Sequence, residues 1–537
     1  MYDLLIINGK IITGSGNPWF WGDLAIVGDK IVTIGRLSKE KAAKVIDAKG
    51  CFVTPGFIDG HSHNDLHIFV DPQAHPKILQ GITTENVGMD GMSIAPIEEK
   101  DVADWRKHLS GLAGNPEIEW HWRSLSDYFD AIDALPPSLN ITSYVGLGTI
   151  RLKVMGMTDR EATADEIDHM KRIAAQAMEE GARGISAGLI YPPSQYQGLP
   201  EMIEIAKVVR EYDGIFDVHM RSEGDRMIEA MEEVFEIGRR SEIPVLITHF
   251  KVRGRENWGL SGKRLEMLDA ARQKGVDVTI AQYPYTASST MLLAVIPPWY
   301  HVKGPDNLIK MLREERGSVK KDIRERMDWE NISVQIGWKN IVVSSVESDA
   351  NKQYEGKRIT EIASMRGLED PEDAACDLLV EEELAVGMIA FGMKEDDVIR
   401  IMKDPTVSFI TDGLMGGGKP HPRVYGTYPR ILGRYVRNQG VLSFEEAVRK
   451  MTSLPAEKLR LRKKGMLAEN YDADITIFDP DTIIDRATFE NPREFPSGIA
   501  WVIVNGQVVV ENGKHTGATP GRTTRARQRG GICAISF

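Results

Sequence analysis

Phe52-Val-Thr-Pro-Gly-Phe-Ile-Asp-Gly-His-Ser-His-Asn-Asp65 is the stretch on which the reading of this chain turns. Residues 52–58 are apolar and β-prone, and polar residues with two histidines follow at once. On an extended segment, residues i and i+2 face the same side. His61 and His63 can therefore reach one metal ion or a pair of ions, and imidazole suits zinc, iron and nickel. His-x-His alone recurs by chance, and two surface histidines would read the same. Its value lies in its place, directly after a strand candidate.

Outward from this point the pattern repeats. Short apolar runs at 82–87, 141–147, 184–189, 214–218, 244–248, 277–281 and 407–410 end in polar residues, with helix-like stretches between them. With 52–58 they make eight strand candidates in βαβ order, which calls for a parallel sheet. Two architectures take such a sheet: a (β/α)8 TIM-type barrel and an open doubly wound sheet. Polar residues after nearly every strand favour the barrel, whose reactive groups sit where strands end and loops begin. The expected fold class is α/β, with a barrel over residues 55–451. The gap between Tyr283 and Val407 far exceeds one crossover helix, so an insertion is expected at about 286–406, before the last strand. It either covers the site or is a structural excursion.

The chain ends read differently. Residues 4–7, 11–13, 23–27, 30–34 and 45–47 are rich in Ile and Val, with turn chemistry at Asn8-Gly9 and Gly28-Asp29. Strand-like segments return at 475–478, 501–504 and 507–510, the last two joined by Asn505-Gly506. A small β-sandwich-like domain from residues 1–54 plus 452–520 is expected, then a basic, frayed tail over 521–537.

Composition narrows the function. Across 537 residues, 66 Lys+Arg stand against 78 Asp+Glu, a net charge of −12, which argues against a general nucleic-acid binder. Hydrophobic residues at 42% and charged residues at 27% describe a globular chain rather than a disordered one. No apolar run approaches the ~20 residues of a membrane helix, and the start lacks a basic and apolar leader. Cys51, Cys376 and Cys533 form no Cys-x-x-Cys pair, so neither a zinc ribbon nor a disulfide framework is indicated, and a reducing cytoplasm is expected. Nothing in the pattern sets an oligomeric state.

Three more residues fall at strand ends. His219 follows 214–218, His249 follows 244–248, and Asp412 follows Val407-Ser-Phe-Ile-Thr411. The chain has twelve histidines, so four at strand ends are a concentration. His67, His75, His108, His121 and His169 read as structural or surface residues. An acid beside a metal can take a proton from activated water and pass it on. A turn aspartate would look the same.

These residues lie in blocks that resemble the amidohydrolase superfamily and, within it, the N-acyl-D-amino-acid deacylase (D-aminoacylase) family. The likeness runs from 55–65 through Gly81-Ile-Thr-Thr84, 91–96, 146–151, 184–191, 219–225 and Thr248-His-Phe-Lys251 with Asn257-Trp-Gly259. It continues through Gln282-Tyr-Pro-Tyr-Thr-Ala-Ser-Ser-Thr290, Thr411-Asp412, His421-Pro-Arg-Val-Tyr-Gly-Thr-Tyr-Pro-Arg430, Asp472-Ala-Asp474 and Pro520-Gly-Arg522. The blocks at 282–290 and 421–430 are the family-specific ones.

The resemblance implies that His219 and His249 hold a tightly bound metal and that His61 and His63 hold a second, often weaker one. It makes Asp412 the catalytic acid/base and places Lys251, Tyr283, Ser289 and Arg423 against substrate. The implied cofactor is a divalent metal, zinc first, one or two per chain, with manganese or iron as alternatives. The implied reaction is hydrolysis of the amide of N-acyl amino acids, D-configured ones first, by metal-activated water; the partner is a small amide bearing a carboxylate. Two positions depart from the family. Family members carry a metal-binding cysteine in Gly-x-Cys-Gly, where this chain reads Gly88-Met89-Asp90-Gly91, so Asp90 stands in for the thiolate as a ligand or bridge. Leu147 stands where the family commonly has histidine. Residues 184–198 contain no lysine, which closes the carboxylated-lysine bridge used elsewhere in the superfamily. The rival readings are a cyclic-amide hydrolase of the hydantoinase or dihydroorotase kind and a metal-free scaffold.

Overall fold

A computed structural model describes residues 1–37 and 41–526. The strands expected from the apolar runs form and pair in parallel in chain order, except that 52–58 divides at Gly56 and only Phe57–Asp59 joins this set. Phe57–Asp59 pairs with Ile82–Val87, and that strand with Asn140–Ser143. Val145–Gly146 follows directly and pairs with Gly184–Gly188. Ile215–His219, Val245–Ile247, Val278–Gln282 and Val407–Phe409 then add in turn. Gly413–Leu414 pairs in parallel with Ser62–His63, so the last of these strands ends beside the first. The Tyr428 hydroxyl ties the two by donating toward the Ile58 and Phe409 carbonyls at 2.8 and 3.0 Å. Each strand of this set is buried throughout, which is why the sequence shows apolar runs rather than alternation.

Helices between the strands have local reasons to start where they do. Ala164–Glu179 begins on a capping box of Thr163 and Glu166, and Leu125–Ala134 on one of Ser124 and Asp127. Met227–Ser241 buries Met227, Ala230, Met231, Val234 and Phe235, the helical spacing of a face turned to the core.

The two chain ends share one sheet. Ile475–Phe478 pairs antiparallel with Phe52–Pro55, which joins Tyr2–Ile11 and its neighbours to Ile499–Val504 and Gln507–Glu511. This sheet has its own apolar cluster, including Ile6, Leu24, Ile26, Val53, Ile475 and Ile503.

The segment between Tyr283 and Val407 is structured. Ala287–Met291, Ile341–Ser345 and Gly387–Phe391 form an antiparallel sheet, and the helices Pro305–Glu314 and Pro371–Glu381 lie within the same segment.

The tail departs from expectation. Residues 521–526 are tied down: Ile141 N donates to the Arg522 carbonyl at 3.0 Å and Ala526 N to the Gly181 carbonyl at 2.9 Å. Arg525 pairs with Asp130 and Asp133. Side-chain pairing explains the difference, because Arg525 finds carboxylates on an adjacent helix and Arg522 finds Asp29. The rest of the expected tail, 527–537, lies outside the described residues, as does Cys533. Cys51 and Cys376 are free thiols. Among the described residues, no helix is long and apolar enough to cross a membrane.

Candidate active site

The strand ends bring the predicted residues together. His61 and His63 leave the first strand, His219 ends Ile215–His219, and His249 follows Val245–Ile247. Asp90 comes from the loop after Ile82–Val87 and Asp412 from the turn after Val407–Phe409. All six are buried. Three hold positive φ: Asp90 at 54°, His249 at 33° and Asp412 at 49°. That conformation costs a non-glycine residue about 1–2 kcal/mol and persists only where the surroundings over-determine it. The loop of Asp90 is seated by a close approach: a Cβ at Gly188 would lie 2.2 Å from the Asp90 carbonyl oxygen.

The polar atoms converge. His61 and His63 bring their Nε2 atoms within 3.3 Å, and Asp412 Oδ1 lies 3.6 and 3.4 Å from them. Asp90 Oδ2 is 3.8 and 3.5 Å from the same two nitrogens, while its Oδ1 is 3.7 Å from His249 Nε2 and 4.0 Å from His219 Nδ1. Asp90 thus faces both histidine pairs. Arg423 Nη1 stands 2.9 Å from Asp412 Oδ2.

Burial pulls His61 and His219 down to about 3, so both are neutral imidazoles with lone pairs. Burial also works against a proton on His63 and His249. Asp412 and Asp90 nevertheless raise His63 to about 9, and Glu223 and Asp90 raise His249 to about 9. Against their own burial, Asp412 is held well below the usual carboxylate range by Arg423, and Asp90 by His61 and His249. The carboxylates of Asp90 and Asp412 are thus balanced by the protons on His63 and His249 and by Arg423.

These residues fit a divalent cation. Asp90 Oδ1 and both ring nitrogens of His219 are buried without a hydrogen-bond partner among the described residues, a state that is costly unless something else contacts them. Imidazole nitrogens and carboxylate oxygens suit zinc, manganese or iron. Three groups lie close enough to share an ion: His61, His63 and Asp412; His61, Asp90 and His249; and His219, Glu223 and His249.

The expected substrate contacts divide. Lys251 and Ser289 line the cavity in front of the histidines, together with Ile190, Tyr191 and Ile332. Arg423 is fully buried behind Asp412 and donates to the Ser289 carbonyl at 3.0 Å. Tyr283 lies off the cavity lining; its ring sits 4.6 Å from the Arg423 guanidinium and 5.5 Å from the Lys251 ammonium. Leu147 is buried at the start of Leu147–Met155, off the cavity lining. Ser288, Ser289, Thr290 and Ile332 come from the insertion, which therefore supplies part of the cavity wall. The free space is about 20 Å³, room for about one water molecule.

Sequence reading passed over two groups. Glu223 pairs with Lys251, lies 2.9 Å from His249 Nδ1, and takes Arg253 Nη1 at 3.1 Å. Arg253 also pairs with Glu330. Beneath the first histidine pair, Lys77 Nζ donates to Asp59, Ser62 and Thr411 at 2.7, 2.8 and 2.6 Å. The signal for Asp59 was an acid inside an apolar strand; for Glu223 it was the first acid in the block after His219.

The chain is similar to known proteins over nearly its whole length. The amidohydrolase family pattern matches residues 44–221 and 357–510. A D-aminoacylase of Alcaligenes xylosoxydans xylosoxydans is 36% identical over 521 residues, covering 97% of each chain. The structure of N-acyl-D-glutamate deacylase from Bordetella bronchiseptica, complexed with zinc and a phosphonate mimic of the tetrahedral intermediate, is similar with a TM-score of 0.84. It is 33% identical and covers 98% of this chain and 100% of that one. A D-aminoacylase structure concerned with a binuclear metal center, 34% identical, has a TM-score of 0.83 over 98% of this chain and all of its own. The match spans the strand ends that carry the clustered histidines and both halves of the terminal sheet, and this chain belongs to the amidohydrolase family.

Proposed function

We propose that the chain is a metal-dependent hydrolase that cleaves the amide bond of N-acyl amino acids, with N-acyl-D-amino acids as its substrates. The observation that carries the reading is the cluster itself: four imidazoles and Asp90 converge with unpartnered donor atoms, and Asp412 stands within 3.6 Å of two of the imidazole nitrogens. The similarity to D-aminoacylase and N-acyl-D-glutamate deacylase supports the substrate class. His61, His63, Asp90, His219 and His249 would hold one or two divalent ions, zinc first. When bound, the ion supplies Lewis acidity, polarising the scissile carbonyl and acidifying water.

The chain's own groups do the rest. Asp412, ionised beside Arg423, accepts the proton of the attacking water and passes it to the leaving nitrogen. Arg423 fixes the Asp412 carboxylate rather than meeting substrate first. Lys251 and Ser289, on the cavity wall, meet the substrate's carboxylate and carbonyl. Tyr283, off the cavity lining, would act through its ring, which packs against the Arg423 and Lys251 cations.

We read the parallel strands as one closed (β/α)8 barrel over 55–451, with the pairing of Gly413–Leu414 and Ser62–His63 as its seam. Residues 1–54 plus 452–520 form the accompanying β-domain, and the chain works in the cytoplasm on a small molecule, without nucleic acid or membrane.

The test is metal content per chain, measured alongside hydrolysis of paired N-acyl-D- and N-acyl-L-amino acids. Bound metal with D-selective cleavage is expected. A metal-loaded chain that opens cyclic amides and leaves linear ones intact would overturn the substrate class.

A further inference from the structure

At the other ends of the same strands lies a second cavity, of about 360 Å³. Arg183 precedes Gly184–Gly188 and Asp213 precedes Ile215–His219, and both line it. His219 closes the strand that Asp213 precedes. At ~3.3 Å per residue, those six steps put the cavity roughly 20 Å from the clustered histidines. It is a separate site.

Its charge is unusual for this protein. Eight Lys and Arg side chains line it against two aspartates, in a chain of net charge −12. Several are neutralised: Arg460 by Asp213, Lys464 by Asp472 and Asp474, Arg525 by Asp130 and Asp133. Arg183, Arg462 and Lys463 have no carboxylate partner among the described residues. Arg183 is the telling one, because it is only 6% exposed. Its guanidinium donates to Thr142 Oγ1 at 3.0 Å and to the Arg460 and Thr524 carbonyls at 3.3 and 2.8 Å, all neutral acceptors. A buried, uncompensated cation is expensive to maintain. Burial accordingly pulls its pKa down to about 10. An anion in the cavity would relieve that cost.

We propose that this cavity binds a phosphorylated small molecule of about nucleotide size. Guanidinium forks match phosphate oxygens, and the volume falls at the lower end of small-molecule sites, which run from about 300 Å³. Met178, Leu461 and the Tyr212 ring supply an apolar wall for the uncharged part. Thr524 and Ala526 belong to the C-terminal segment that crosses these strand ends, so the ligand would also fasten that segment.

Calorimetric titration of the full-length, metal-loaded chain with ADP tests this, with adenosine and inorganic phosphate as competitors. Saturable ADP binding is expected, displaced by phosphate and not by adenosine. It should weaken at least about tenfold in the chain with Arg462→Glu and Lys463→Glu, exposed positions whose reversal leaves metal content and hydrolysis unchanged. Absence of saturable binding would overturn the proposal. So would binding unchanged in the double variant, which would place the nucleotide at the catalytic metal. Binding seen only in a chain ending at Ala526 would assign the cavity to the protein's own C-terminus.

Discussion

The two histidine pairs of the site are braced in different ways. His61 and His63 come from one extended segment, and Lys77, Asp59, Ser62 and Thr411 lock them from beneath. Each of those four is fully buried and none lines the catalytic cavity. His219 and His249 come from separate strands and are braced from the side by Glu223, whose partners Lys251 and Arg253 do line it. The first brace can act only on geometry and stability. The second faces the reacting space, so it can tune the metal and the substrate directly. Breaking each brace should therefore give a different phenotype.

Asp412 spans the difference, since it touches the first pair and shares the cavity with the second. Asp412→Asn should lower kcat about 10²- to 10⁴-fold on an N-acyl-D-amino acid, the usual worth of a positioned acid/base. Metal content should persist. The melting temperature should drop somewhat, because Arg423 loses its counter-ion in a fully buried position. Near-normal turnover in the metal-loaded variant would remove Asp412 from the chemistry.

Lys77→Met breaks the first brace. It leaves the buried Asp59 without its cation, which costs about 3–5 kcal/mol of stability. Urea unfolding would read this directly, and adding Asp59→Asn should recover part of it. A variant as stable as the parent would mean that Lys77 is not what locks the His61–His63 segment to the last strand.

Glu223→Gln breaks the second. A carboxylate on the far nitrogen of a ligating histidine orients the ring and strengthens it as a donor, and its loss weakens metal binding about 10- to 100-fold. Competition with a chromophoric chelator would measure this. Stability should fall less than for Lys77→Met, because Arg253 keeps Glu330. Unchanged metal affinity would make Glu223 a substrate-side residue only.

The asymmetry also explains what could be read in advance. The histidines were legible because each follows an apolar run, and local pattern fixes both the run and its end. The eight strands were legible for the same reason. Lys77 and Glu223 were not, because their meaning depends on which strands and loops become neighbours: Lys77 meets Thr411 across 334 residues, and Arg253 meets Glu330 across 77. The antiparallel sheet of the insertion escaped notice too, since Ala-Ser-Ser-Thr-Met291 has little strand character until Gly387–Phe391 pairs with it. The docked segment at 521–526 looked like free charge because its carboxylate partners, Asp29, Asp130 and Asp133, lie far away in the sequence.

The smallest effect separates members within each pair. Without a cation, His63 and His249 are held at about 9 by neighbouring carboxylates, while burial keeps His61 and His219 at about 3. Below pH 9 an incoming cation must displace the protons on the first two, and the other two are already free. Affinity should therefore rise with pH up to about 9, with a slope of at most two protons, and flatten above it; uptake in weak buffer should release protons. Because each pair holds one protonated ring, His63→Gln and Glu223→Gln should each reduce the slope by about one, the latter by removing the carboxylate that raises His249. A pH-independent affinity would mean that neither pair contributes a protonated ring.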